Sequence, residues 1–186
     1  HSTDRSVEII REICPTWDIV TSRNNNFQAD TIDTEVNDIE AGIEGWKICL
    51  NVTEQLIGDY SEMSNDGAVP EIYIPSIFMV DCDRERTVDP SIPLYKQKFD
   101  GFSFRDNDRA FLERRARRLH CTNTPYPTVG TRECMAPGRH YNMYSTNTKL
   151  AVLYYGWCPF DENQLNRKLQ IQTQIPLVDR MQNRGF

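Results

Sequence analysis

EIYIPSIFMVDC, residues 71–82, is where the chain changes rhythm. Its β-branched and aromatic residues suit the pleated surface of a sheet, so the stretch reads as extended chain. Pro75 brings no N–H to a ladder, which predicts an edge strand or two short strands parted at that residue. Before this point the apolar residues recur with helical spacing. After it they alternate, and the fold class follows from that switch.

Upstream, VEIIREIC (7–14) places Val7, Ile10 and Cys14 on one face, with Asp4 or Ser6 to cap it and Pro15 to stop it. The residues Ile32, Val36, Ile39, Ile43, Trp46 and Leu50 then recur at steps of four and three, the apolar stripe of a long helix facing a core. Gly42 and Gly45 each weaken that helix by ~1 kcal/mol relative to alanine, so a kink or break belongs there. Asp30, Asp33, Glu35, Asp38, Glu40 and Glu44 are expected to form its wet, acidic side.

Downstream, LYKQKFDGFSF (94–104) carries Asp100-Gly101 between strand-like halves, a hairpin signal. RHYNMYS (139–145), KLAVLYYGW (149–157) and KLQIQTQI (168–175) read as further strands, the last from the alternation of Leu169, Ile171 and Ile175 with glutamines. One helix near 107–119, capped by Asp106 or Asn107, interrupts them. The expected fold is α+β: a single disulfide-stapled domain over 1–186, N-terminal helices packed on a mostly antiparallel sheet. Its helical part covers about 1–58 and its mostly β part about 70–186, with turn-rich residues 58–69 as the one hinge-like segment.

A chain of 186 residues with 39% hydrophobic and 26% charged residues has the make-up of a folded domain, not a disordered one. No apolar run approaches the roughly 18 residues that a membrane-spanning helix needs. The first residues do not read as a secretory leader, as expected of a mature or trimmed chain. Six cysteines, Cys14, Cys49, Cys82, Cys121, Cys134 and Cys158, stand too far apart for CxxC zinc or thioredoxin chemistry. Their even number, beside the glycosylation sequon Asn51-Val52-Thr53, points to three disulfides in a secreted or extracellular glycoprotein. Of the 15 connectivities only Cys121–Cys134 suggests itself, because prolines and a glycine lie between the two.

Charge divides the chain. Residues 1–90 hold 6 basic and 19 acidic side chains, residues 91–186 hold 15 and 8, and arginine makes up 16 of the 21 basic residues. Either the halves neutralise each other across the fold, or the basic half meets an anionic partner. LERRARRLHC (112–121) concentrates the question. On a helix, Phe111, Leu112, Arg115 and Leu119 would face inward while Arg114, Arg117 and Arg118 fan outward as a solvated or anion-binding face. Arg115 to Arg118 also match a basic processing motif, which a packed helix would hide.

Catalytic patterns are sparse. No GxSxG elbow or calcium loop is present, and no cofactor is expected. His120 and His140 are the residues that would serve as general acid and base in a small secreted hydrolase. Tyr154 and Tyr155 are adjacent on a strand and so should point to opposite faces, leaving one exposed beside Arg139 as an interface residue. The leading expectation is a non-catalytic module binding a cell-surface protein or an anionic glycan through Arg114, Arg117, Arg118, Arg139, Tyr154 and Tyr155, with no nucleic-acid partner. The alternative is the hydrolase.

Overall fold

The computed structural model describes residues 4–24, 29–63, 70–102, 116–123 and 148–181. Helices α1 (Ser6–Ile13) and α2 (Ala29–Ala41) come first, followed by strands β1 (Lys47–Ile48) and β2 (Glu54–Gly58). Strands β3 (Glu71–Ile74), β4 (Ser76–Met79), β5 (Gly101–Phe102), β6 (Arg117–His120) and β7 (Leu150–Tyr154) complete the sheets. Helices α3 (Glu162–Gln174) and α4 (Leu177–Met181) end the described chain. The architecture is α+β.

Pro75 divides the 71–82 stretch, and the two halves belong to different sheets. β3 is an outer strand of a three-stranded antiparallel sheet ordered β1-β6-β3. β4 lies in a mixed four-stranded sheet ordered β2-β7-β4-β5, where it runs parallel to β7. The chain thus crosses between sheets at the residue that has no N–H, while the Pro75 carbonyl still accepts from Val152 N–H at 3.0 Å.

Alternation assigns the faces. Ile72, Ile74 and Leu119 of the first sheet meet Leu150 and Val152 of the second in one buried cluster, flanked by Trp46, Ile48, Leu50 and Leu56. Ile74 and Val152 have no exposed surface. A second cluster of Met79, Leu153, Tyr155 and Cys158, with Ile77 and Leu94 packed on it, occupies the other face of the four-stranded sheet.

Several sequence expectations are corrected here. The apolar stripe to Leu50 is not one helix: α2 stops at Ala41, where the break was expected from Gly42 and Gly45, and Gly45 takes a positive φ of 83° before the chain becomes β1. Its inward side is also rolled round from the apolar stripe. Asp33 is fully buried and Glu40 is 8% exposed, whereas Ile39 is 46% exposed. For Glu40, His120 of the neighbouring sheet accounts for this, as described below. Residues 117–119, expected in a helix, belong to strand β6; residues 107–115 of that expectation lie outside the described residues.

KLQIQTQI belongs to α3, not to a strand. The Asp161 carboxylate caps that helix by accepting from Gln164 N–H at 2.7 Å. This Asp-x-x-Gln signal outweighs the chance alternation of the glutamines. Asp100-Gly101 does not turn a hairpin either: residues 94–96 form a 3-10 turn, and β5 pairs with β4 through Phe78↔Phe102 and Met79↔Gly101. Gly101 is needed there, because a Cβ would come within 2.9 Å of Ile77 and Met79 side-chain atoms. RHYNMYS lies outside the described residues.

Cys14, Cys49, Cys82, Cys121 and Cys158 carry free thiols, so the expected three-bridge framework is not formed among the described residues. Cys134 lies outside them.

The inverted face of α2 gives a direct test in urea melts. Ile74→Ala should cost about 2–5 kcal/mol, as for a large aliphatic side chain lost from a tight core. Ile39→Asp should cost less than about 1 kcal/mol, because that side chain already faces water. A larger penalty at Ile39 than at Ile74 would show that α2 is rolled the other way.

Candidate functional site

Strand β6 is buried on all four residues, yet three of them are basic. Pairing with β3 (Ile72↔Leu119, Tyr73↔Arg118) sends Arg117 and Leu119 toward the second sheet and Arg118 and His120 away from it. Arg117 donates through Nε to Glu54 Oε2 at 2.8 Å and through Nη2 to Glu54 Oε1, a forked contact between side chains 2% and 0% exposed. Arg118 Nη2 donates to Glu71, which also receives the Tyr73 hydroxyl at 2.6 Å.

His120, whose side chain is 1% exposed, places Nε2 at 2.9 Å from Glu40 Oε2. Its Nδ1 lies 3.1 Å from the Thr122 carbonyl oxygen and 3.3 Å from the Thr122 hydroxyl. Nε2 thus faces a carboxylate, and Nδ1 faces a carbonyl and a hydroxyl. Both ring nitrogens are therefore engaged within the fold. Beside them, Lys47 Nζ donates to the Glu40 and Ile43 carbonyls at 2.8 and 3.1 Å and to Asn123 Oδ1 at 3.2 Å. The ammonium thereby bridges backbone carbonyls at and just beyond the end of α2, where the Glu40 carbonyl also accepts from Ile43 N–H at 3.1 Å. A cavity of about 100 Å³ opens onto this cluster, lined by Asn37, Glu40, Lys47, His120, Thr122 and Asn123.

A second polar cluster sits where β4 ends. Lys98 Nζ donates to Asp81 Oδ1 at 2.6 Å, both side chains being under 5% exposed, and Phe160 N–H donates to Asp81 Oδ2 at 2.9 Å. Burial alone would raise the Asp81 carboxyl, but the Lys98 and Phe160 hydrogen bonds, with the Lys98 and Arg84 charges, hold it below its ordinary value. Glu71 shows the same balance: burial raises it, while the Tyr73 and Arg118 contacts bring it down. Burial pushes the Cys158 thiol up to about 11 and the Tyr155 hydroxyl up to about 12. Tyr155 and Cys158 line a further cavity of about 200 Å³ with Val52, Thr53, Gln55 and Gln164.

No protein-family model, curated protein or solved structure matches the chain. Among the described residues no three His, Cys, Asp or Glu side chains converge to hold a metal ion, and no helix is long and apolar enough to cross a membrane.

The structure separates the residues expected to form a binding face. Arg114 and Arg139 lie outside the described residues, as does His140. Arg117 and Arg118 do not fan outward; they are 2% and 4% exposed and committed to Glu54 and Glu71. Neither tyrosine is exposed. Tyr154 packs edge-on against Phe78 with centroids 5.1 Å apart, and the Tyr155 hydroxyl donates to the Lys98 carbonyl at 3.0 Å. Both are covered because β7 is an inner strand with apolar clusters on either face. Sequence reading missed Glu40, Lys47, Glu54, Glu71, Asp81 and Lys98. The one available signal was the charge split, since each buried acid here comes from the first half and its partner from β6 or Lys98 of the second.

Two tests follow. Glu54→Ala should cost about 3–5 kcal/mol by stranding the Arg117 charge, and Glu54→Leu with Arg117→Leu should cost less than either single change. Strictly additive costs would mean that the two do not act as a pair. Separately, Asp81 and Glu71 titrate lower folded than unfolded, so each stabilises the fold at neutral pH. That support is lost as pH falls below their ordinary values and on through the lower folded ones. Urea midpoints should fall between about pH 5 and 3. Asp81→Asn should flatten this fall, and an unchanged slope would refute the assignment.

Proposed function

We propose that the chain is an extracellular, non-catalytic glycoprotein module that binds a protein partner at a cell surface. The observation that carries this reading is the N-terminal arm. α1 is amphipathic, yet it buries no residue. Ile13 is 71%, Trp17 66% and Val20 65% exposed, with Ile9 and Ile10 alongside. A cluster of large apolar side chains left in water marks an interaction surface, and tryptophan is a frequent anchor in one. An apolar arm suits a protein groove better than a sulfated glycan, and Arg117 and Arg118 are already neutralised within the fold.

The secreted setting rests on the even cysteine count and the sequon. Asn51 is exposed, and Val52 within the sequon is 90% exposed, on the turn that leads into β2. An oxidising compartment would pair the six cysteines into three bridges. The hydrolase alternative has less support, since both nitrogens of His120 are engaged and its ring is buried.

The test uses fluorescently labelled chain on cells of its own source. Saturable binding that survives heparinase, and that is lost in an Ile13→Glu, Trp17→Asp variant of unchanged melting temperature, is the expected result. Binding that heparinase abolishes would favour the glycan. Equal binding by variant and parent would remove the arm from the interface, and loss of self-association instead would make a second copy the partner.

A further inference from the structure

The ends of β4 and β7 bring two cysteines together. These strands run parallel in a constant register, Ser76↔Val152, Ile77↔Leu153 and Phe78↔Tyr154, so both chains leave the sheet at the same end and side by side. Beyond Tyr154 the chain makes a turn, closed by Cys158 N–H donating to the Tyr155 carbonyl at 3.2 Å. It then returns to the segment that follows β4. Phe160 is gripped from both sides of Cys82: Asp81 receives its N–H at 2.9 Å, and the Arg84 guanidinium lies 4.8 Å from its ring centroid. Cys82 stands between those two residues in sequence, and Cys158 is two residues before Phe160.

We propose that Cys82 and Cys158 form an intrachain disulfide, pinning the end of β4 to the turn between β7 and α3. The strands that lead to the two cysteines lie about 4.8 Å apart, and a disulfide spans Cα separations of roughly 4.4–6.8 Å. The Cys82 thiol is also among the groups whose field acts on Cys158. The pairing gives a specific connectivity to the oxidising-compartment reading above and rests on it for its occurrence in the native chain.

The exposure of the two residues orders the chemistry. Cys82 is exposed and Cys158 is buried. The Cys82 thiolate attacks a small disulfide oxidant such as oxidised glutathione, forming a mixed disulfide and expelling one glutathione thiolate. The Cys158 thiolate then attacks the Cys82 sulfur and expels the second. The two protein thiols give up two protons and two electrons; one S–S bond forms, and that of the oxidant is broken.

Cleavage after lysine, arginine and glutamate leaves every cysteine in its own peptide, with Cys82 in 72–84 and Cys158 in 150–162. The full chain, reduced and refolded in a glutathione redox buffer, is alkylated, digested without reductant and mapped by mass spectrometry. The expected result is a 72–84 to 150–162 linked species that disappears on reduction. Cys82 or Cys158 recovered alkylated, or joined to another cysteine, overturns the pairing. The same map on chain recovered from its producing cells tests the compartment separately. The link present there supports both readings, whereas free thiols there with the link formed in redox buffer overturn only the oxidising compartment.

Discussion

Arg117, Arg118 and His120 stand on a four-residue strand that is wholly buried, and each meets a glutamate from a different element. Moving a charge out of water costs several kcal/mol, and only a close, hydrogen-bonded counter-charge offsets it. The strand can therefore sit between its neighbours only if Glu40 of α2, Glu54 of β2 and Glu71 of β3 arrive in the right places. Its polar contacts position one helix and a strand from each sheet together. A slip of one residue in β6 would turn Arg118 into the cluster around Ile74 and Val152 and present Leu119 to Glu40, so charge fixes the register. Cohesion comes from the aliphatic residues around it.

The same strand explains why two sheets share one cohesive layer. Leu119 packs with Ile72 and Ile74 against Leu150 and Val152, while Arg117 crosses the gap to Glu54 on the second sheet. Pro75 lets the chain pass between the sheets where a ladder N–H is not needed. At the far edge of β2, Gly58 has a φ of 123°, and a Cβ there would lie 2.1 Å from the Lys149 carbonyl oxygen. No side chain fits that approach, so the hydrogen-bonded start of β7 depends on a glycine.

What was legible from sequence follows from these constraints. The break at Pro75, strand β7 and the α+β class were readable, because local propensity and tertiary packing agree there. The N-cap of α1 is Arg5, with no side-chain cap bond, and not Asp4 or Ser6. Ser6 N–H does bond Asp4 Oδ1, at 2.9 Å. The roll of α2 was not readable, since Glu40 is drawn inward by His120, eighty residues later in the chain, and no periodicity encodes that. The run 112–121 misled for the same reason: four arginines near two leucines resemble a wet helix until the distant glutamates that pair with Arg117 and Arg118 are known. α3 was misread although its cap was in plain sight. Leu165 and Leu169 are 43% and 52% exposed, so the helix lacks the strong apolar stripe that would have competed with the alternating pattern.

Function was least legible because the most conspicuous residues are consumed by the fold. The charge split suggested a basic face, yet in the described residues the arginines of β6 neutralise acids of the first half. Among the exposed large apolar side chains are Ile13, Trp17 and Val20 near one end of the chain, and Leu177, Val178 and Met181 near the other. A buried charge network resists rearrangement, because moving any member strands another. A rigid centre of that kind suits a scaffold that holds peripheral contact segments and leaves little freedom for chemistry at His120. Among the described residues, the buried ring of His120 has both nitrogens engaged within the fold, while large apolar side chains stand exposed, and these two observations support the recognition module proposed above.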